Sequence, residues 1–257
     1  MLALQQRLTE LRFDTGSVDG VYGGATVHAV MAFQKAYGMA RTGRATPDVI
    51  ERMATVGLQG EMVPGGGRTK VEVDLKRQIL TVWKDGALLR VIDVSTGSGQ
   101  RYCVEGECAK AVTPGGSYKV TRRITGWRTS RLGRLYNPLY FNGGIAIHGA
   151  PSVPAYPASH GCVRIPMYVA GWFPGVVPNG TPVYVLGGPK APVPFNEPAP
   201  GDTAPDPTST TTTPASSTTT SAPTTTTPSS TTTTSPSSTT TSPSPTTTTS
   251  SPDPLLP

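Results

Sequence analysis

Leu4, Leu8 and Leu11 recur at i, i+4 and i+7, and Val30, Phe33 and Tyr37 repeat a similar spacing from about Ala25. Apolar residues at that period mark two amphipathic helices. The run Asp19-Gly20-Val21-Tyr22-Gly23-Gly24 forms the turn between them. Thr46-Pro47-Asp48 opens a third helix, with a capping residue, proline at the first helical position and early negative charge. Three short helices bury little surface, so residues 1–58 read as a small all-α module rather than an enzyme core.

The period then changes. Pro64 is followed by Gly65-Gly66-Gly67, which predicts a flexible linker over 59–68. Val71, Val73 and Leu75 alternate with polar residues, and Ile79–Trp83 and Leu88–Val94 flank Lys84-Asp85-Gly86. Alternation marks strands, and Asp-Gly between two of them marks a hairpin. Short strands separated by Gly/Pro turns predict a compact, mostly β domain over 69–188, with Gly144–His148 as one of its strands. Between Pro207 and Pro252 there is no charged residue and, proline aside, nothing apolar larger than alanine. Such a segment cannot offset the entropy of ordering, so a disordered Thr/Ser/Pro-rich tail is expected over 189–257, of the type seen in glycosylated stalks or bare spacers.

Charge adds a basic surface without naming a partner. The formal net charge is +6, with Arg122, Arg123, Arg128, Arg131 and Arg134 clustered. No helix-turn-helix, zinc finger or aromatic-basic RNA motif accompanies them, so no nucleic-acid partner is expected. No stretch reaches the ~18 apolar residues of a membrane helix. Met1-Leu2-Ala3-Leu4-Gln5-Gln6-Arg7 lacks the basic-then-apolar order of a secretory signal.

Three cysteines leave one unpaired after any disulfide. Cys103 and Cys108 bracket a short polar turn with a glycine, which suits a hairpin closed by a disulfide in an oxidising compartment. Cys162 is then the leftover thiol. The cysteines and histidines lack zinc-ligand spacing, and His28 has no second ligand at helical spacing, so neither metal nor cofactor is expected.

The candidate chemistry lies between Ile145 and Ile165. His148 ends an apolar run, a Pro-rich loop follows, and then comes Ser159-His160-Gly161-Cys162-Val163-Arg164. A thiol attacks as thiolate, and an imidazole within reach can take its proton. His148 and His160 compete for that role. Gly161 allows close backbone approach, so neighbouring N–H groups are candidates for an oxyanion hole, with Arg164 as a nearby positive charge.

His148 and the run Ser159 to Arg164 resemble the signature of the L,D-transpeptidase catalytic (YkuD) family. The spacer Gly149–Ala158 is shorter than the usual pattern. The resemblance makes Cys162 the nucleophile, His148 the base held through the Gly149 carbonyl, and His160 a supporting residue. Thr113-Pro114-Gly115-Gly116 resembles the family's Thr-Pro-x-Gly turn before a strand. Tyr140, Asn142 and Gly143, just upstream, are expected to line the cleft. At the other end, Asp19–Thr26 with Ala29-Val30 and Phe33-Gln34, continued by Gly43-Arg44-Ala45-Thr46, resembles the peptidoglycan-binding type 1 domain. Together these imply an extracytoplasmic enzyme joining donor and acceptor stem peptides of peptidoglycan. The rival readings are an L,D-carboxypeptidase-type hydrolase using the same dyad, and a wall-binding protein without activity. Papain-like and NlpC-type peptidases fit less well, because they place Cys before His.

Overall fold

The computed structural model describes residues 1–195; the remainder of the Thr/Ser/Pro-rich tail, 196–257, lies outside the described residues. Helices α1 (Leu2–Glu10), α2 (Gly24–Ala36) and α3 (Pro47–Thr55) come first. Strands β1 (Lys70–Asp74), β2 (Ile79–Lys84) and β3 (Ala87–Asp93) precede a ribbon, β4 (Arg101–Val104) and β5 (Glu107–Lys110). Then come β6 (Gly116–Lys119), β7 (Arg122–Arg123), β8 (Trp127–Ser130), β9 (Gly133–Asn142), β10 (Ile145–Ala150) and β11 (Val163–Pro166). The last elements are α4 (Met167–Val176) and β12 (Pro182–Leu186).

One sheet runs β3-β2-β1-β12-β6, and a second runs β11-β10-β9-β7 with β8 also on β9. β1–β12 and β10–β11 are the parallel pairs. Val71, Val73, Leu80 and Val82 of the first sheet share one core with Leu139, Phe141, Ile147 and Val163 of the second. This is the small helical module and mostly β domain that the pattern predicts. The hairpin at Asp85-Gly86 takes positive φ at both residues (54° and 83°), the mirror-image turn that Asp-Gly favours.

Helix α4 was not foreseen, because Gly171, Pro174 and Gly175 within it read as turn residues. Burial of Val169, Ala170 and Phe173 against the sandwich outweighs that local preference. Thr46 is at the N-cap of α3 with Pro47 following, but its side chain makes no capping hydrogen bond. Val49 and Met53 bury that helix, and the Arg7 guanidinium caps its far end through the carbonyls of Met53 and Val56.

The helices sit on the outer face of the first sheet. Along β2, Leu80 and Val82 point into the sandwich, whereas Ile79 and Trp83 join a second core with Leu8, Phe13 and Phe33. Strands buried on both faces explain why Ile79 to Trp83 is apolar except for Thr81, whose buried hydroxyl donates to the Glu72 carboxylate. Lys35 of α2 is 1% exposed and ion-pairs with Asp93 at the end of β3, whose other oxygen lies 2.7 Å from His28 Nδ1. Burial pushes the Lys35 ammonium down from its ordinary range, while Asp93 opposes the shift.

The 59–68 segment, expected to be flexible from its glycines, is fastened down instead. The buried Glu72 carboxylate accepts the N–H groups of Met62 and Val63, and Lys70 Nζ donates to the Val63 carbonyl. The expected tail also begins too early at 189. Val193 exchanges hydrogen bonds with Ser117 on β6, and the Phe195 ring packs 5.7 Å from Tyr184.

Candidate active site

The parallel pairing of β10 and β11 sets His148 opposite Arg164 and Ile147 opposite Val163. Cys162 precedes β11 by one residue and so falls beside Ala146. Because Ala146 and His148 share a face of β10, His148 and Cys162 come to one side of the sheet, and both line the same cleft. The sequence separation of 14 residues is spanned by the Pro-rich loop.

His148 is 6% exposed, and its Nδ1 donates to the Gly149 carbonyl at 2.9 Å. A carbonyl only accepts, so the proton resides on Nδ1 and the Nε2 lone pair is left as the basic site. Gly149 also has a packing reason to be glycine: a Cβ there would lie 2.6 Å from the Ala170 methyl on α4. Burial lowers the His148 pKa below its ordinary value; the Gly149 hydrogen bond opposes this and Arg164 adds to it. Burial likewise raises the Cys162 thiol, against the Ala146 amide and the Arg164 charge. Both shifts favour a neutral thiol beside a neutral imidazole. The thiol makes a long contact, 3.9 Å, with the Gly144 carbonyl.

Residues 159–162 form a turn fixed by one hydroxyl. Ser159 Oγ donates to the Cys162 carbonyl (2.6 Å) and accepts the Gly161 N–H (3.0 Å). That amide is therefore occupied, as is the Ser159 N–H, which donates to the Thr96 carbonyl, and within the turn an oxyanion would have to be met by the N–H groups of His160 or Cys162. Gly161 has φ of +140°, and a Cβ on it would come 2.9 Å from the Val112 carbonyl. Its carbonyl accepts from Thr113 Oγ1 at 2.6 Å, and Thr113 in turn accepts the Gly97 N–H at 2.9 Å. Sequence reasoning placed Thr113 in a turn and missed this contact; the Thr-Pro-x-Gly likeness was the signal. His160 is exposed, and its ring meets Tyr102 edge-on at 4.7 Å.

The cleft encloses about 1030 Å³. One wall is the β4–β5 ribbon, where Cys103 and Cys108 occupy opposed positions and are joined as a disulfide. The facing wall comes from the β8–β9 hairpin. Arg131 at its tip reaches Glu105 (3.4 Å) and Glu107 (3.2 Å) on the ribbon. Tyr140 lines the cleft, with the Arg122 guanidinium 4.1 Å over its ring. Asn142 and Gly143 do not line it: the register shifts between Ile145 and Ala146, and Gly144 and Ile145 take their place. Tyr102, Lys110 and Arg134 also line it and were not foreseen as site residues. Among the described residues no cluster of three or more His, Cys, Asp or Glu side chains could hold a metal, and no helix is long and apolar enough to cross a membrane.

Residues 68–185 match the family described as the L,D-transpeptidase catalytic domain (YkuD), and residues 1–53 match a peptidoglycan binding domain. No curated protein matches. The solved L,D-transpeptidase from Xylanimonas cellulosilytica is 40% identical, with a TM-score of 0.67, covering 72% of this chain and 91% of that one. An L,D-transpeptidase from Stackebrandtia nassauensis is 25% identical (TM-score 0.44; 73% and 90% covered). One from Mycobacterium smegmatis is 24% identical (TM-score 0.40; 48% and 60% covered). On the extent of the first of these matches, joined to the two domain matches, the chain belongs to the L,D-transpeptidase (YkuD) family and carries a peptidoglycan-binding domain at its N-terminus.

Proposed function

We propose that this protein is an extracytoplasmic L,D-transpeptidase that cross-links peptidoglycan through a thioester on Cys162. The observation that carries the reading is the fixed tautomer of His148, whose Nδ1–H is spent on Gly149 while its other nitrogen serves the cleft shared with Cys162. Nε2 takes the thiol proton as sulfur attacks the carbonyl of the L-centre at the third stem position. The terminal D-Ala leaves as a free amine after receiving that proton, and the acyl group stays on sulfur. The amine of an acceptor stem then attacks the thioester, giving its proton back to Nε2 and regenerating the thiol. The N–H groups of His160 and Cys162 meet the transient oxyanion, since those of Ser159 and Gly161 are already donated, with Arg164 nearby. His160 borders the acyl site, and Ser159 holds the turn.

Incubation with intact wall, followed by mass spectrometry of released muropeptides, tests this. Dimers with a new L-centre-to-D-centre link are expected, and none with Cys162→Ala. Tripeptide stems without dimers would establish the hydrolase instead, and no change in the wall would leave a binding protein.

A further inference from the structure

The Pro-rich loop between His148 and Cys162 is held in part by the helical module. Arg41, in the connection between α2 and α3, donates from one guanidinium nitrogen to the Ala155 carbonyl of that loop and from another to the Lys76 carbonyl in the β1–β2 turn, each at 3.1 Å. Both bonds leave the module to which Arg41 belongs. Beyond the burial that already lowers the Lys35 pKa, the Arg41 charge lowers it further, so the place of Arg41 is not set by the electrostatics of its own module. The other fastenings of the loop fall after Ala155. Ser95 Oγ donates to the Tyr156 carbonyl at 2.7 Å, and the Ala158 and Ser159 amides donate to the Thr96 carbonyl. Ahead of Ala155, Pro151 and Ser152 line the cleft that also holds His148 and Cys162. Val153 and Pro154 alone separate Ser152 from the pinned carbonyl. Prolines at 151 and 154 fix their own φ and restrict the residue before each, so a displacement of Ala155 is passed on to the cleft wall rather than absorbed.

Resting on the transpeptidase reading, we propose that Arg41 is a positioning residue for the reaction: by pinning Ala155, the helical module holds the cleft wall at Pro151 and Ser152 in its working place. A module that only tethered the enzyme would raise the local concentration of stems and so act on polymer alone. A module that shapes the cleft acts on every substrate, including a soluble stem that the helices never grip.

The test measures turnover of a soluble tetrapeptide donor with an amine acceptor, and of intact wall, by wild type, Arg41→Met and Arg41→Lys. Met keeps the aliphatic stem and removes both donors, whereas Lys keeps the charge but offers a single ammonium for two carbonyls. Arg41→Met is expected to lower kcat/KM on both substrates by about tenfold or more, because small misplacements around the reacting groups are costly, and Arg41→Lys to recover part of that loss. Unfolding temperature, retention on wall and the rate of Cys162 alkylation by iodoacetamide should stay at wild-type values, which separates positioning from folding, gripping and thiol reactivity. An unchanged kcat/KM in Arg41→Met, a loss confined to wall, turnover by wild type of wall alone, or a loss matched by a fall in unfolding temperature would each overturn the proposal. Turnover of neither substrate by wild type would overturn the transpeptidase reading beneath it.

Discussion

The Thr113 hydroxyl, 49 positions upstream of Cys162, donates 2.6 Å to the carbonyl of Gly161 and accepts the amide of Gly97. It ties the strand-to-ribbon connection to the turn that presents Cys162. Thr113→Val keeps the shape and removes both bonds, leaving a buried carbonyl and amide unpaired. A loss of about 1–3 kcal/mol in thermal unfolding is expected. A fall of about tenfold or more in kcat/KM should accompany it, because small misplacements of reacting groups are costly. Unaltered kinetics would show that Ser159 alone holds the turn.

The pH profile should have its acid limb below the ordinary histidine value of 6.5, because burial lowers the His148 pKa and the base must be neutral to take the thiol proton. Arg164 adds to that lowering, so Arg164→Gln should raise the His148 pKa and move the acid limb of kcat/KM to higher pH. The same substitution removes a charge that favours the Cys162 thiolate, so iodoacetamide alkylation should need higher pH in the variant. A shift of either limb in the opposite direction would contradict this electrostatic account.

Lys35→Met removes one partner of a buried pair and strands the Asp93 carboxylate, with His28 as its other neighbour. Such changes cost about 3–5 kcal/mol. Denaturant unfolding of residues 1–195 should show that loss in a single transition. A variant that unfolds in two steps would mean that the helices and the sandwich are not one cooperative unit.

A thiol titration of unreduced protein should find one reactive group, Cys162, since Cys103 and Cys108 are joined. Replacing both with Ser should affect catalysis more than global stability. The ribbon they close is largely exposed, so the ~2 kcal/mol of a short-loop disulfide acts locally. What it supports is Tyr102 against His160. Equal activity of the reduced and oxidised forms would remove the ribbon from the site.

Truncation after Phe195 should preserve unfolding temperature and activity, whereas truncation after Lys190 should lower stability by uncovering Tyr184 and freeing the edge of β6. Identical melting of the two truncated proteins would show that the strap adds nothing.

Local pattern made the candidate dyad legible as a pair, because His148 and Ser159–Arg164 form one short signature whose ends a parallel strand pair brings together. The β hairpins were legible for the same reason: Asp85-Gly86 and Glu105-Gly106 need only their own φ angles. What escaped depends on partners far along the chain. Asn142 and Gly143 were expected in the cleft, but an irregular register in β9–β10 hands their place to Gly144 and Ile145. A composition-based view of 59–68 could not anticipate Glu72, which lies beyond the segment and holds it by two amides. Arg131 was visible only as part of a basic cluster, since nothing local says that a hairpin tip will carry it across to Glu105 and Glu107 of the ribbon.

The Lys35–Asp93 pair makes the N-terminal helices a mount rather than a leash. Asp93 leads through Val94 to Ser95 and Thr96, whose backbones hydrogen-bond Arg164 and Ser159 on either side of Cys162. A polymer gripped by the helices would meet the thiol at a set offset along its length, so bonds made on one strand would inherit a spacing from the protein itself, as marks do from a caliper.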